Sequence, residues 1–170
     1  SALKSKAVDK NYQPIPWYTY SMIDFLSSKN FTNRRILEFG GGQSTFWWSR
    51  RCKEIFTYED NQLWFSHLKK KIGKNTYLFH SDTQLDGFEK KVEGLFDVIV
   101  IDGLDRFVCA QKALDYLAPS GALILDNSDA GYSNETGDMS VVRYLHTKKF
   151  NRVDFYGFAP GVILPACTSI

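Results

Sequence analysis

Acidic and small residues recur along this chain at intervals that could hold a nucleotide-like ligand. Glu38 precedes Gly40-Gly41-Gly42, and Ser44 and Thr45 follow. Further on come Glu59-Asp60, Ser81-Asp82, Asp102-Gly103 and Asp126-Asn127. Glycines let a backbone approach a ligand closely, and the first-turn N–H groups of a following helix are free to donate. A carboxylate ~20 residues beyond a glycine turn is placed to accept from two ribose hydroxyls, which is the position of Glu59. The pattern Gly40-x-Gly42-x-x-Thr45 lacks the third glycine of the dinucleotide fingerprint. Glu38 would repel a pyrophosphate, and suits a ligand carrying an ammonium or sulfonium charge better.

The elements that must position these residues alternate between strand and helix. Apolar runs predict strands at Arg35–Phe39, Ile55–Tyr58, Thr76–Phe79, Phe96–Ile101 and Ala122–Leu125. Between them, helices are expected at about Ser44–Arg51, Gln62–Ile72, Gln84–Val92 and Phe107–Leu117, with Gly73 and Pro119-Ser120-Gly121 as stops. Several strands are continuous apolar runs, as sheets covered on both faces require. A helix from about Trp17 to Ser28 precedes this array. It either packs on the domain or helps to cover a ligand through Trp17, Tyr18 and Thr19. A polar loop, 128–137, leads to a helix at Met139–Lys148. The runs Arg152–Phe158 and Val162–Thr168 are separated only by Ala159-Pro160-Gly161, too short for a crossover, so they are expected to pair antiparallel. The fold class is α/β: a three-layer sandwich around a mostly parallel seven-stranded sheet with an antiparallel hairpin. Residues 1–30 form a leading segment and covering helix, and 31–170 the domain proper. In such sheets ligands bind outside the carboxyl ends of the strands, where every acidic pair named above falls.

Bulk properties narrow the function. The chain has 170 residues, 44% of them hydrophobic and 24% charged, and a net charge of +2, too small to argue for nucleic acid or an anionic membrane. Lys69-Lys70-Lys71 reads as a solvated helix face. Cys52, Cys109 and Cys167 are odd in number and far apart, so neither a disulfide framework nor a zinc site is expected, and a reducing cytoplasmic setting fits. His67, His80 and His146 have no metal-ligand spacing. Trp47-Trp48 reads as core, or as one ring facing a partner subunit. No run of ~18 apolar residues could span a bilayer, and the first residues have no secretory apolar region.

Several of these segments resemble one family. Glu38-Phe-Gly40-Gly-Gly42 is similar to the E-x-G-x-G motif of class I S-adenosylmethionine-dependent methyltransferases. Tyr58-Glu59-Asp60 resembles their second acidic motif, Phe96–Gly103 their fourth-strand motif, and Leu117-Ala-Pro-Ser-Gly121 through Asp126 the segment entering strand five. The resemblance covers residues 35–170. It implies a Rossmann-like fold and S-adenosylmethionine as cofactor. Gly40, Gly41 and Gly42, with Ser44 and Thr45, would approach the methionine part, and Glu38 would act as a polar anchor. Glu59 would hold the ribose, Asp60 or Trp64 would border the adenine, and Ser81 and Asp82 would reach its amino group. Asp102 would face the transferring methyl as the catalytic candidate. The acceptor would be a small or medium-sized molecule, methylated at oxygen in one version, and held by the leading helix, loop 128–137, the hairpin or a partner chain, including a second copy.

A second resemblance, to metal-dependent catechol-type O-methyltransferases, would make Asp102, Asp126 and Asn127 ligands of a magnesium-type ion. In the alternative, Asp102 lines the cofactor pocket and Asp126-Asn127 caps a loop. Two further function classes stay open at this stage: a nicotinamide-dependent oxidoreductase, and a cofactor-binding module without turnover.

Overall fold

The computed structural model describes residues 7–80, 92–103 and 105–170. Seven strands form one sheet: β1 (Arg35–Phe39), β2 (Glu54–Glu59), β3 (Thr76–His80), β4 (Phe96–Ile101), β5 (Leu117–Leu125), β6 (Asp154–Gly157) and β7 (Ala166–Ser169). Their spatial order is β3-β2-β1-β4-β5-β7-β6. The first five are parallel, and β7 runs antiparallel to both β5 and β6. The chain therefore builds outward from β1 to β3, then returns to the other side of β1 with β4. The gap opened by that reversal, between β1 and β4, is where a ligand crevice is expected.

The described helices are α1 (Tyr20–Ser27), α2 (Gln43–Ser49), α3 (Gln62–Lys69), α4 (Arg106–Tyr116) and α5 (Val141–Thr147). They cover both faces of the sheet, which explains the apolar runs. In β1, Ile36 packs with Trp47, Trp48, Met22 and Leu26 on one face, while Leu37 packs with Cys109, Ala110 and Ala113 on the other. Adjacent strand residues point to opposite faces, so a strand buried twice has no polar phase. Trp47 and Trp48 are both buried, edge to face at 4.8 Å, and the Trp48 indole N–H donates to the Tyr18 hydroxyl at 3.2 Å. Neither ring is free to face another subunit. All three cysteines are buried free thiols. Among the described residues no helix is long and apolar enough to cross a membrane.

Several boundaries differ from the sequence expectation by a few residues, and three of the differences have a backbone reason. α1 starts at Tyr20 rather than Trp17, because Thr19 is its cap and Trp17 lies in the approach. β5 starts at Leu117, not Ala122: Leu117 pairs with Phe96, and the register then slips so that Ala122 pairs with Val98. Pro119 has no N–H to give to a ladder, and the slip lets the chain bulge past it. The hairpin is real, but its strands are shorter than expected and residues 158–165 connect them. Pro160 and Pro165 cannot donate to the ladder, so pairing ends at Gly157 and Ala166. The helix expected at Gln84–Val92 falls almost wholly outside the described residues.

Because Trp48 joins α2, α1 and the sheet in one dry contact, Trp48→Ala is expected to cost about 3–5 kcal/mol. Urea unfolding of the two proteins checks this, and a loss below ~1 kcal/mol would show that the contact is dispensable.

Candidate active site

Two backbones meet where β1 and β4 end. The Asp102 N–H donates to Phe39 O at 2.9 Å, and the Gly40 N–H to Tyr58 O at 2.8 Å. Gly40 has φ +95°, and a Cβ there would lie 2.5 Å from Gly103 N. No other residue fits that position without moving main chain. A Cβ on Gly41 would lie 2.7 Å from a Leu68 methyl and 2.9 Å from Thr57 Cγ2. Gly42 differs, having nothing within 4 Å of its Cβ position. The first two glycines let the strands close up, and the third faces open space. That space is a cleft of about 390 Å³ whose walls include Gly40–Gly42, Ser44, Glu59, Asp60, Trp64, Asp102 and Arg106. A larger hollow of about 680 Å³ lies between β5, α5 and residues 149–152, but its walls are mostly apolar and no carboxylate lines it.

Glu59 ties the cleft together. Its Oε2 accepts from Gly41 N–H at 2.8 Å and its Oε1 from Asn61 N–H at 2.7 Å. Each oxygen keeps lone-pair capacity for a ligand hydroxyl. Burial pushes this carboxyl up to about 7, against the two backbone N–H groups, with the charges of Asp60 and Glu38 adding to the rise. Asn61 in turn caps α3, accepting from Leu63 and Trp64 N–H at 3.0 and 3.1 Å, which sets Trp64 at the cleft wall.

Glu38 lies behind the glycine turn and does not line the cleft. It is fully buried, and its Oε2 accepts from the Thr45 hydroxyl at 2.6 Å and the Thr57 hydroxyl at 2.9 Å. Thr45 Oγ1 accepts from Gly42 N–H at 3.0 Å, so Glu38 acts on the turn through Thr45. Burial raises its carboxyl to about 7, opposed by the hydroxyls of Ser44, Thr45 and Thr57. Its Oε1 has no hydrogen-bond partner.

The other end of the cleft is built from Asp102 and Arg106. The Arg106 guanidinium donates from Nη2 to Asp102 Oδ1 at 3.0 Å and from Nη1 to Gly103 O at 2.9 Å. It also stacks on the Tyr132 ring at 4.1 Å. Asp126 is buried beside Asp102, and its Oδ1 accepts from the Thr168 hydroxyl at 2.7 Å. Thr168 Oγ1 accepts from Thr19 N–H at 3.1 Å, which anchors the leading segment to β7. Burial raises Asp102 well above the ordinary carboxyl range; the Asp126 charge adds to this and Arg106 opposes it.

The fold thus brings Gly40, Gly41, Gly42, Ser44, Glu59, Asp60 and Asp102 to one cleft. Glu38 and Thr45 support it from behind. Ser81 and Asp82 lie outside the described residues. Trp17 reaches the wall, whereas Tyr18 is core. The magnesium-type set Asp102, Asp126 and Asn127 is not borne out. Asp102 is held by Arg106, Asp126 by Thr168, and Asn127 does not line the cleft. Among the described residues no three His, Cys, Asp or Glu side chains could hold a metal ion. Arg106 itself was missed in the sequence. Its only signal was a cation four residues after Asp102, where a helix start puts it back over the strand end.

No protein-family model and no curated protein matches the chain. Solved structures do match its fold. A proposed O-methyltransferase from Klebsiella pneumoniae superposes with a TM-score of 0.63 at 20% identity, covering 80% of this chain and 71% of that one. Precorrin-6y C5,15-methyltransferase from Geobacter metallireducens GS-15 gives 0.64 at 14% identity, covering 97% and 92%. The Streptococcus mutans protein SMU.1697c, solved in complex with SAH, gives 0.56 at 18% identity, covering 86% and 92%. The chain has the Rossmann-like fold of class I methyltransferases.

Glu38 gives this site a pH signature. In an unfolded chain its carboxyl titrates near ~4.3, and in the fold at about 7. The folded state therefore keeps a proton that the unfolded state releases. This contribution to stability is complete below about pH 4.3 and is lost as pH rises through about 7. The melting temperature is expected to fall by on the order of 5 °C between pH 5 and 8, and Glu38→Gln to reduce that fall. Calorimetric melts across this range check it, and equal slopes for both proteins would contradict it.

Proposed function

We propose that this protein is an S-adenosylmethionine-dependent methyltransferase acting on a small or medium-sized acceptor, at oxygen. The observation that carries the proposal is the chemistry of the cleft wall. Three carboxylates, Glu59, Asp60 and Asp102, share it with a single described cation, Arg106. A pyrophosphate would meet repulsion there, whereas a sulfonium ligand bearing an ammonium group would not. The fold likeness to methyltransferases supports the same reading, and the acid-rich wall disfavours a nicotinamide dinucleotide.

The residues present fit this cofactor. Gly42 leaves open space where a side chain would intrude, and Glu59 offers two oxygens already oriented by Gly41 and Asn61 N–H groups. Glu59 would hold the ribose hydroxyls, Trp64 and Asp60 would border the base, and Gly40–Gly42 with Ser44 would flank the methionine part. When bound, S-adenosylmethionine supplies an electrophilic methyl group on sulfur. The protein's task is then to position an acceptor in line and keep competing water out. Asp102, on the wall beside Gly103, would receive the acceptor's proton. The acceptor would enter beside Arg106, from the side of the Tyr132 ring on which that guanidinium rests.

Calorimetric titration with S-adenosylmethionine and SAH, beside NAD, is the direct test. Binding of the first two and not of NAD is expected, and Glu59→Ala should weaken it roughly 10–100-fold, the worth of hydrogen bonds to a charged acceptor. Tighter binding of NAD would select the oxidoreductase instead. Because ribose hydroxyls favour the ionised Glu59, whose carboxyl sits at about 7 in the free protein, binding should release protons and strengthen from pH 6 to 8. Titrations in two buffers of different ionisation enthalpy measure that release, and proton uptake would contradict the assignment.

A further inference from the structure

We propose that Arg106 is the resident cation of the acceptor site, occupying the place beside Asp102 and Asp126 that a divalent ion would otherwise take, and donating to the oxygen of a hydroxyl-bearing acceptor. This rests on the methyltransferase reading for the acceptor, but the cation assignment stands on geometry alone.

The two carboxylates and the neighbouring Asn127 are the donor types of a magnesium-type site, but Asp102 is engaged by Arg106 and Asp126 by Thr168. What stands at the open side of Asp102 is the Arg106 guanidinium, whose side chain is only 10% exposed. It is fixed on three sides. Nη2 bonds Asp102 Oδ1 at 3.0 Å and Asp102 O at 3.2 Å, Nη1 bonds Gly103 O at 2.9 Å, and the flat face rests on Tyr132 at 4.1 Å. A planar, permanently charged group clamped this way cannot swing aside for a metal ion.

Three of this clamped group's five N–H donors are used. Arg106 Nε is buried and has no hydrogen-bond partner. A buried, unpaired donor on a cation is costly, and it is relieved by an oxygen acceptor. Arg106 lines the cleft, and Asp102, its partner, is still 24% exposed there. An N–H donor beside a carboxylate complements a hydroxyl, whose oxygen accepts from one and whose hydrogen goes to the other. The Tyr132 ring on which Arg106 rests also walls a second cavity of about 290 Å³, with Ser128, Asp129, Ser140 and Tyr156 among others. It offers room for the rest of such an acceptor, and its walls combine hydroxyls, Asp129, Arg152 and aromatic rings with the aliphatic side chains of Leu125, Val141 and Val142.

The test uses manganese(II) as the probe, read by electron paramagnetic resonance on the full chain, with SAH binding measured on the same preparation. Wild type is expected to show no stoichiometric manganese site. Arg106→Ala should acquire one, on the order of tenfold tighter than any wild-type binding. Adding Asp126→Asn should remove it again, and Arg106→Lys, which keeps a cation, should not acquire it. Circular dichroism melts confirm that each variant is folded. If Arg106→Ala is not, the readout passes to Arg106→Gln, which also lacks the charge. A stoichiometric site in wild type that Asp126→Asn removes would overturn the proposal, as would a folded neutral variant that gains none. Wild type that fails to bind SAH while Arg106→Ala gains manganese would sink methyl transfer and leave the cation assignment standing. A crystal structure of the SAH complex completes the test. An ordered water or other oxygen at Arg106 Nε, separate from SAH, is expected. The SAH carboxylate on that nitrogen would make Arg106 a cofactor residue and overturn its acceptor role.

Discussion

Everything at this site depends on how closely β1 and β4 approach at their carboxyl ends. With Gly40 at φ +95° and its missing Cβ 2.5 Å from Gly103 N, the two chains touch through main chain alone. That contact fixes where Asp102 leaves the sheet and where the glycine turn begins. It also lets Gly41 lie low enough for its N–H to reach Glu59 across the neighbouring strand. A side chain at position 40 would separate the strand ends, and the cleft would lose both walls together. The contact falls where the chain reverses its strand order, between β1 and β4, the place at which an open parallel sheet leaves a crevice.

Around this contact the protein gathers more buried acid than it neutralises with base. Glu38, Glu59, Asp102 and Asp126 are all raised by burial, and Arg106 is the cation set among them. Such a cluster is expensive unless hydrogen bonds satisfy it, and most of it is satisfied: by Thr45 and Thr57, by two backbone N–H groups, and by Thr168. The exceptions are Glu38 Oε1 and Arg106 Nε, one acceptor and one donor left unmatched. Two of these carboxyls, Glu59 and Asp102, line the cleft, and Glu38 and Asp126 stand behind it.

The strands were readable because burial on both faces forces apolar runs, and β1 and β4 match their expected limits residue for residue. The acidic strand ends were readable for the same reason, since polarity returns where the sheet stops. What could not be read was anything set by side-chain direction. Glu38 looked like a ligand anchor, but it shares a strand face with Thr57 and turns inward beneath Thr45. Asp126 and Asn127 looked like a metal pair, until Thr168, more than forty positions along, was seen to hold the first of them. Arg106 was hidden because a lone arginine at a helix start is ordinary, and its direction is set by bonds to Asp102 and Gly103 and by stacking on Tyr132, which lies far along the chain. The long connection 158–165 was likewise invisible to a rule that counts the shortest turn, because two prolines end the ladder early.

The last strand in chain order is not at the rim of the sheet. β7 lies between β5 and β6, and it carries both the Thr168 contact to Asp126 and, among the described residues, the only ladder that joins β6 to the rest. Among the described residues β6 pairs with no other strand, so without residues 166–169 the flank of β5 would lie open and Asp126 would lack its clasp. One four-residue strand thus carries both the attachment of β6 and the seat of a buried carboxylate, and a change that weakens it disturbs the sheet edge and the cleft together.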